Sequence, residues 1–214
     1  FEIETSYGIK AWKRWGNTAE QIIKSNPYVL CIQGVDLSFS RADAVAAKSD
    51  IPADSECRIK AGITYILRQN ADQGHTCLPL DSLVKTAVSY LDVDEKLIKK
   101  VIEDETEEEN LYYYDKHGRR FVMLADFYKA EDYIARRLAI MRQISYDNKI
   151  DFSEVIDLEE ENNGIQYEKI QREAINLALS KGFLVLTGGP GTGKTTTLNA
   201  IISLYQQQGL NVMI

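Results

Sequence analysis

Residues 184–197 read Leu184-Val185-Leu186-Thr187-Gly188-Gly189-Pro190-Gly191-Thr192-Gly193-Lys194-Thr195-Thr196-Thr197. The run from Gly188 to Thr195 fits G-x-x-x-x-G-K-[ST] at every fixed position, and its context fits too, with an apolar strand stretch before it and a helix-forming stretch after it. Each residue type has a physical reason. Glycines let the backbone turn its amides inward and approach phosphates closely. A helix beginning at Lys194 adds a partial positive charge at the same point. Lys194 is placed to reach the β- and γ-phosphates of ATP, and the Thr195 hydroxyl to hold Mg²⁺. Gly188, Gly189, Pro190, Gly191, Thr192, Gly193 and Thr196 complete the expected phosphate contacts, and Lys194 and Thr195 are the candidate catalytic residues.

Working outward, the spacing predicts a strand at Phe183–Thr187, a helix to Gln208 closed by Gly209, and a second strand from Leu210. Upstream, a helix is expected near Glu168–Ser180. Residues 145–164 are polar and acidic, with Glu159-Glu160-Glu161 and Asn162-Asn163-Gly164, and read as an inter-domain linker. Residues 75–144 read as a short strand at His75–Leu78, helices near Asp81–Tyr90 and Asp94–Glu103, and a hairpin. Its strands, Leu111–Tyr114 and Phe121–Leu124, flank a loop over residues 115–120. That order is winged-helix-like. A trailing helix from Asp126 to about Ile144 carries Phe127, Ile134, Leu138 and Met141 on one face. Residues 1–74 read as short helices. The third is capped by Ser40, and a longer one, capped by Asp54 or Ser55, carries Ile59, Ile63 and Ile66 or Leu67 as an apolar stripe ending at Gly74.

The 214 residues suffice for one large domain or two modest ones, and 44% hydrophobic residues indicate a globular chain. A net charge of −7 excludes nucleic-acid binding through a global positive field, so any DNA contact must use local patches or backbone amides. Cys31, Cys57 and Cys77 are odd in number and lack C-x-x-C spacing, which indicates neither a disulfide framework nor a zinc site and suits a reducing cytoplasm. No apolar run approaches the ~20 residues of a membrane span. The opening Phe1-Glu2-Ile3-Glu4 is not a signal peptide, and the chain reads as a piece of something longer.

With the loop in place, the chain resembles the RecD-like DNA helicases, the group related to the exodeoxyribonuclease V alpha subunit. Leu184 to Thr197 is similar to their first motor motif, and Gly164-Ile165 followed by Gln171 and Ala174 is similar to their Q-motif segment. The resemblance implies that Gln171 contacts adenine, a role an amide can fill because it both donates and accepts. It implies a RecA-like motor fold from residue 165, truncated here. It also implies ATP-driven movement on single-stranded DNA with 5′→3′ polarity, and substrates of single-stranded DNA or tailed duplex. A nuclease or repair partner is left open.

The N-terminal region resembles the long form of that family, which carries helix-hairpin-helix motifs. The matching stretch is Asn26-Pro27-Tyr28-Val29-Leu30, Ile32-Gln33-Gly34-Val35 and Ala42-Asp43-Ala44-Val45-Ala46. In such motifs a glycine turn presents backbone amides to a DNA phosphate, which would make Gly34 and Val35 DNA contacts. One departure stands out: Asp36 occupies the place of the usual second glycine and would repel phosphate, and Leu37 and Ser38 are extra. Packing and DNA-contacting roles both remain open for this hairpin. The fold class expected is thus a mainly α N-terminal region, helix-hairpin-helix plus winged-helix-like module, followed by the start of a P-loop α/β motor.

Weaker signals are weighed beside these. Arg119 and Arg120, near Tyr112-Tyr113-Tyr114, either hold a nucleic-acid strand or form a solvated wing. The run Asp104–Glu109 reads as a solvated loop that repels DNA. Trp12 and Trp15 read as packing residues. His75 and His117 lack ligand spacing. Val155–Glu159 precedes the phosphate loop and so is no Walker B strand. No strand ending in Asp-Glu follows Lys194, so residues 1–214 alone are expected to turn over no ATP. Alternatives are another P-loop enzyme or a non-enzymatic docking module.

Overall fold

Helix α1 (Thr5–Trp15) leads into α2 (Ala19–Ser25), and Asn26-Pro27 then breaks the helix as its chemistry dictates. The Asn26 side chain accepts from Tyr28 N at 3.0 Å and starts a 3-10 turn, Pro27–Cys31. Next come α3 (Phe39–Ala47), α4 (Glu56–Asp72), β1 (Cys77–Pro79), α5 (Leu80–Leu91), α6 (Glu95–Glu107), β2 (Leu111–Lys116), β3 (Arg119–Leu124) and α7 (Ala125–Gln143). After them follow α8 (Ser153–Asn163), α9 (Lys169–Ser180) and α10 (Lys194–Gln207). This computed structural model describes residues 3–32, 34–144 and 152–213, which fall into two units, residues 1–130 and 131–214.

In the first unit, one apolar cluster joins Leu30, Val35 and Phe39 of the hairpin region to Ile59, Ile63 and Leu67 of α4. It continues through Leu83 and Ala87 of α5, Ile98 and Ile102 of α6, and Val122 and Leu124 of β3. The sequence boundary after Gly74 therefore marks the end of a helix, while the core runs on across it. The three strands form an antiparallel sheet in the order β1-β3-β2 behind α5 and α6, the winged-helix-like arrangement. The hairpin is tighter than the sequence indicates. Asp115 pairs with Arg120 and Lys116 with Arg119, so the loop shrinks to His117-Gly118. Their φ values of 50° and 74° are those of a two-residue turn with both centres left-handed, which Gly118 adopts without strain.

A polar staple crosses this unit. Arg58 Nε and Nη2 donate to the two oxygens of Asp43 at 2.7 and 3.1 Å, and its Nη1 donates to the carbonyls of Ala53 at 2.7 Å and Leu91 at 2.8 Å. Tyr28 donates its hydroxyl to the same carboxylate at 2.5 Å. One guanidinium thus fastens α3, α4 and the end of α5 together.

Several expectations are corrected here. The third helix starts at Phe39 with Ser38 in the capping position, so Ser40 lies inside it. Trp15 packs against the core, but Trp12 is 62% exposed, because the α1 face that carries it meets no apolar partner among the described residues. The acidic run is not a loop throughout. Asp104–Glu107 finish α6, and Glu105 is buried, paired with Lys60 at 2.8 Å, an ion pair that holds the Lys60 ammonium above its usual pKa. The stripe Phe127, Ile134, Leu138 and Met141 buries no residue of α7 fully.

The second unit corrects the linker. Residues 145–151 lie outside the described residues, but 153–163 form α8, and Phe152 and Ile156 enter a core with Ile175, Leu179, Ile201 and Leu204. Acidic composition there mimics a solvated spacer, yet Asp157, Glu159 and Glu160 have partners within the unit. Glu159, 2% exposed, accepts from Gln207 at 2.7 Å and Asn163 at 2.8 Å. Glu160 and Asp157 hold Arg172 of α9. Neither Phe183–Thr187 nor the stretch from Leu210 is a strand. A strand exists only through a ladder to a neighbour, and among the described residues neither stretch has one.

Candidate functional site

The phosphate loop bridges the stretch 183–187 and the start of α10. Gly191 and Gly193 both take φ of 75°, and Gly193 is the residue from which α10 springs. A Cβ at Gly193 would lie 2.2 Å from Gln171 Nε2, and one at Gly188 would lie 2.6 Å from Thr192 Oγ1. At Gly193 the left-handed φ makes any side chain strained, and at Gly188 the Thr192 hydroxyl would have to move aside for one. Lys194 extends back across it, donating to the carbonyls of Gly188 at 2.7 Å and Gly189 at 2.5 Å. Its ammonium is thereby held over the loop. Thr195 stands exposed in the first turn of α10.

Two hydroxyls that the motif does not require brace the loop. Thr192 Oγ1 donates to Gly189 O at 2.9 Å, and the buried Thr197 donates to Gly193 O at 3.0 Å. The second is the common bond from a helical threonine to the carbonyl four residues back, which the run Thr195-Thr196-Thr197 makes available. Gln171 lies against this loop from α9. Its Oε1 accepts from Glu168 N at 2.8 Å, forming with the Glu168 side chain a reciprocal capping box. Its Nε2 donates to Gly193 O at 3.4 Å, so Gln171, 22 residues upstream, touches the loop directly.

At the hairpin after the 3-10 turn, the amides are already used. Gly34 N donates to Asp36 Oδ1 at 3.0 Å, while Val35 N and Asp36 N donate to Ile32 O at 3.2 and 3.0 Å. Val35 is buried, and Lys10 of α1 ties the turn down by donating to Val35 O at 3.1 Å. The Asp36 carboxylate therefore occupies the amide that a phosphate would need, which supports a packing role for this hairpin. Asp36→Gly is expected to free that amide. If it does, DNA affinity rises, and because Lys10 loses its ion-pair partner Asp36, 3.7 Å away, and can face the phosphate, the slope of log K against log salt steepens by about one. Anisotropy titrations at several salt concentrations measure this, and an unchanged slope would leave the hairpin out of DNA binding.

The sequence pairs Arg119 with Arg120, but the hairpin places them on opposite faces. Arg120 is bound by Asp115 at 3.0 and 3.3 Å and lies over the Tyr113 ring at 4.8 Å, whereas Arg119 is exposed beside Lys116.

In chain order, a helical hairpin region and a winged sheet are followed by a glycine loop of the P-loop type that opens a helix. Residues 1–77 match the family model of the ATP-dependent RecD2 DNA helicase HHH domain, and residues 171–214 match that of an AAA domain. Over 38 residues the chain is 58% identical to proteins named RecBCD enzyme subunit RecD, from two strains of Mycobacterium tuberculosis and from Mycolicibacterium smegmatis. That stretch is 18% of this chain and spans 7% of the length of each relative. The two family models and the names of these relatives make the chain similar to the RecD-like helicases over those stretches. No helix among the described residues is long and apolar enough to cross a membrane.

Proposed function

We propose that this chain supplies the phosphate-binding start of the motor and an N-terminal DNA-engaging region to an ATP-dependent helicase that moves 5′→3′ on single-stranded DNA. The observation that carries the reading is the cradle itself, with Lys194 laid across Gly188 and Gly189 and α10 opening at Gly193. Its residues fit ATP and Mg²⁺: a glycine loop that is left-handed where the helix begins, an ammonium beside it, and an exposed hydroxyl in the first turn of the helix. In this reading Lys194 neutralises the β- and γ-phosphates, Thr195 holds the metal, and the backbone amides from Gly188 to Thr196, Pro190 excepted, donate to the phosphate oxygens. Gln171 reads the adenine edge. Bound Mg-ATP supplies the free energy of phosphoryl transfer, and the chain's part is to bind and orient it.

The test is unwinding by the full-length protein on matched duplexes with a 5′ tail, a 3′ tail or blunt ends. Opening of the 5′-tailed duplex alone, dependent on ATP, is the expected result. Opening of none, with ATP turnover indifferent to DNA, would move the protein to another class of P-loop enzyme. The relatives are named as subunits of the RecBCD enzyme, so a multi-subunit assembly is the one to look for around it.

A further inference from the structure

The winged sheet has two faces of different chemistry. Leu111, Val122 and Leu124 point into the core, and beyond them on that face Asp115 holds Arg120. The alternate residues of β2 and β3 point the other way: Tyr112, Tyr114 and Lys116 on one strand, Arg119, Phe121 and the buried Met123 on the other, so this face is covered at its Tyr112 end and open toward the tip. Tyr112 stacks on Tyr128 of α7, with centroids 4.1 Å apart and planes 5° from parallel. Tyr114, 46% exposed, lies across from Phe121 with centroids 6.5 Å apart. Next to this pair, at the tip, Lys116 faces Arg119 across the register. Among the described residues neither cation is in an ion pair, in contrast to Arg120.

We infer that this outer face of the wing, Tyr114 and Phe121 with Lys116 and Arg119, is a binding surface for single-stranded nucleic acid. Charge selects the occupant. Two adjacent unpaired cations at the end of an aromatic row complement a chain that carries a phosphate at each residue and a π-face between phosphates. Unpaired bases can lie on the Tyr114 and Phe121 rings, which paired bases inside a duplex cannot do. Same-face residues on a strand stand about 6.8 Å apart, so the open part of the row, from Tyr114 to Lys116, is about 7 Å long and suits one or two nucleotides, while Tyr112 is held by Tyr128. An acid marks the other end: Glu109 accepts from the Tyr112 hydroxyl at 3.4 Å, so phosphates are drawn toward the tip and away from the base of the hairpin. The two arginines that sequence places together have separate duties. Arg119 meets the strand, and Arg120 braces the sheet.

The test uses the intact protein without nucleotide and an oligo-thymidine strand carrying one photoreactive 5-bromouracil. After irradiation, the crosslinked peptides are mapped. The expected crosslinks fall on Tyr114 or Phe121. Lys116→Ala with Arg119→Ala lowers their yield about fivefold or more, while Arg120→Ala keeps it within about twofold. Crosslinks that form elsewhere in the protein but never on the wing overturn the inference and leave this face to a protein partner, as does an Arg120→Ala loss equal to that of the double variant. The inference takes from the proposed function only that the protein meets DNA strands. Lys194→Ala separates the two, because it stops unwinding and leaves the wing crosslink in place.

Discussion

Lys194→Ala abolishes ATP binding by the intact protein at micromolar nucleotide, with affinity reduced a hundredfold or more. A charge pair at ~4 Å in an effective dielectric of ~20 is worth about 4 kcal/mol before desolvation, and each ~1.4 kcal/mol is a factor of ten. The substitution removes the ammonium that now lies on the Gly188 and Gly189 carbonyls, and nothing else on α10 can replace it. The loop itself should survive, because Thr192 and Thr197 still brace its two ends. Titration with a fluorescent ATP analogue, beside a melting curve showing an unchanged fold, is the measurement. Wild-type affinity in the variant would refute the phosphate-cradle assignment.

Arg58→Ala should lower the stability of the first unit by about 3 kcal/mol, the low end for breaking a buried ion pair. The low end applies because the Arg58 side chain is 14% exposed and its partner Asp43 30%. The loss strands the Asp43 carboxylate and two carbonyls that the guanidinium now serves. At about 2–4 °C per kcal/mol, the melting temperature falls by roughly 10 °C. An unchanged melting curve would show that the staple contributes nothing. The same network sets a pH response. Burial pushes the Asp43 pKa up, but hydrogen bonds from Arg58 and Tyr28 outweigh it, leaving the carboxyl below its usual value. Its contribution is therefore complete above the unfolded pKa of about 3.9 and is lost as pH falls through the lower folded value. Burial, then the bond to Asp43, raises the Tyr28 pKa, so its contribution is complete below about pH 10 and fades above that. Asp43→Asn should flatten the acid limb.

The phosphate loop was legible because a fixed spacing of glycines, lysine and threonine has one dominant structural use. The helices of the first unit were legible from periodicity, as with Ile59, Ile63 and Leu67 on α4. What escaped depends on partners distant in sequence. Glu159 and Glu160 look like a solvated run until Gln207 and Arg172 arrive to bind them. Arg119 and Arg120 look like one basic patch until the strand register turns one toward Asp115 and the other outward. The departure at Asp36 was visible as a charge out of place, but only the turn geometry shows its carboxylate folded onto the Gly34 amide. Phe183–Thr187 has the composition of a strand, yet composition does not supply the neighbour that makes one.

The Gln171 amide is shared between two tasks. Its oxygen caps the first turn of α9, and its nitrogen rests on the carbonyl from which α10 departs. A primary amide has two N–H donors and an oxygen with two lone pairs, so in the proposed adenine role one donor and one acceptor position remain beside the two in use. The bonds already made fix the plane in which a base can reach them, so the seating of α9 and α10 beside the cradle sets the edge that a base must present.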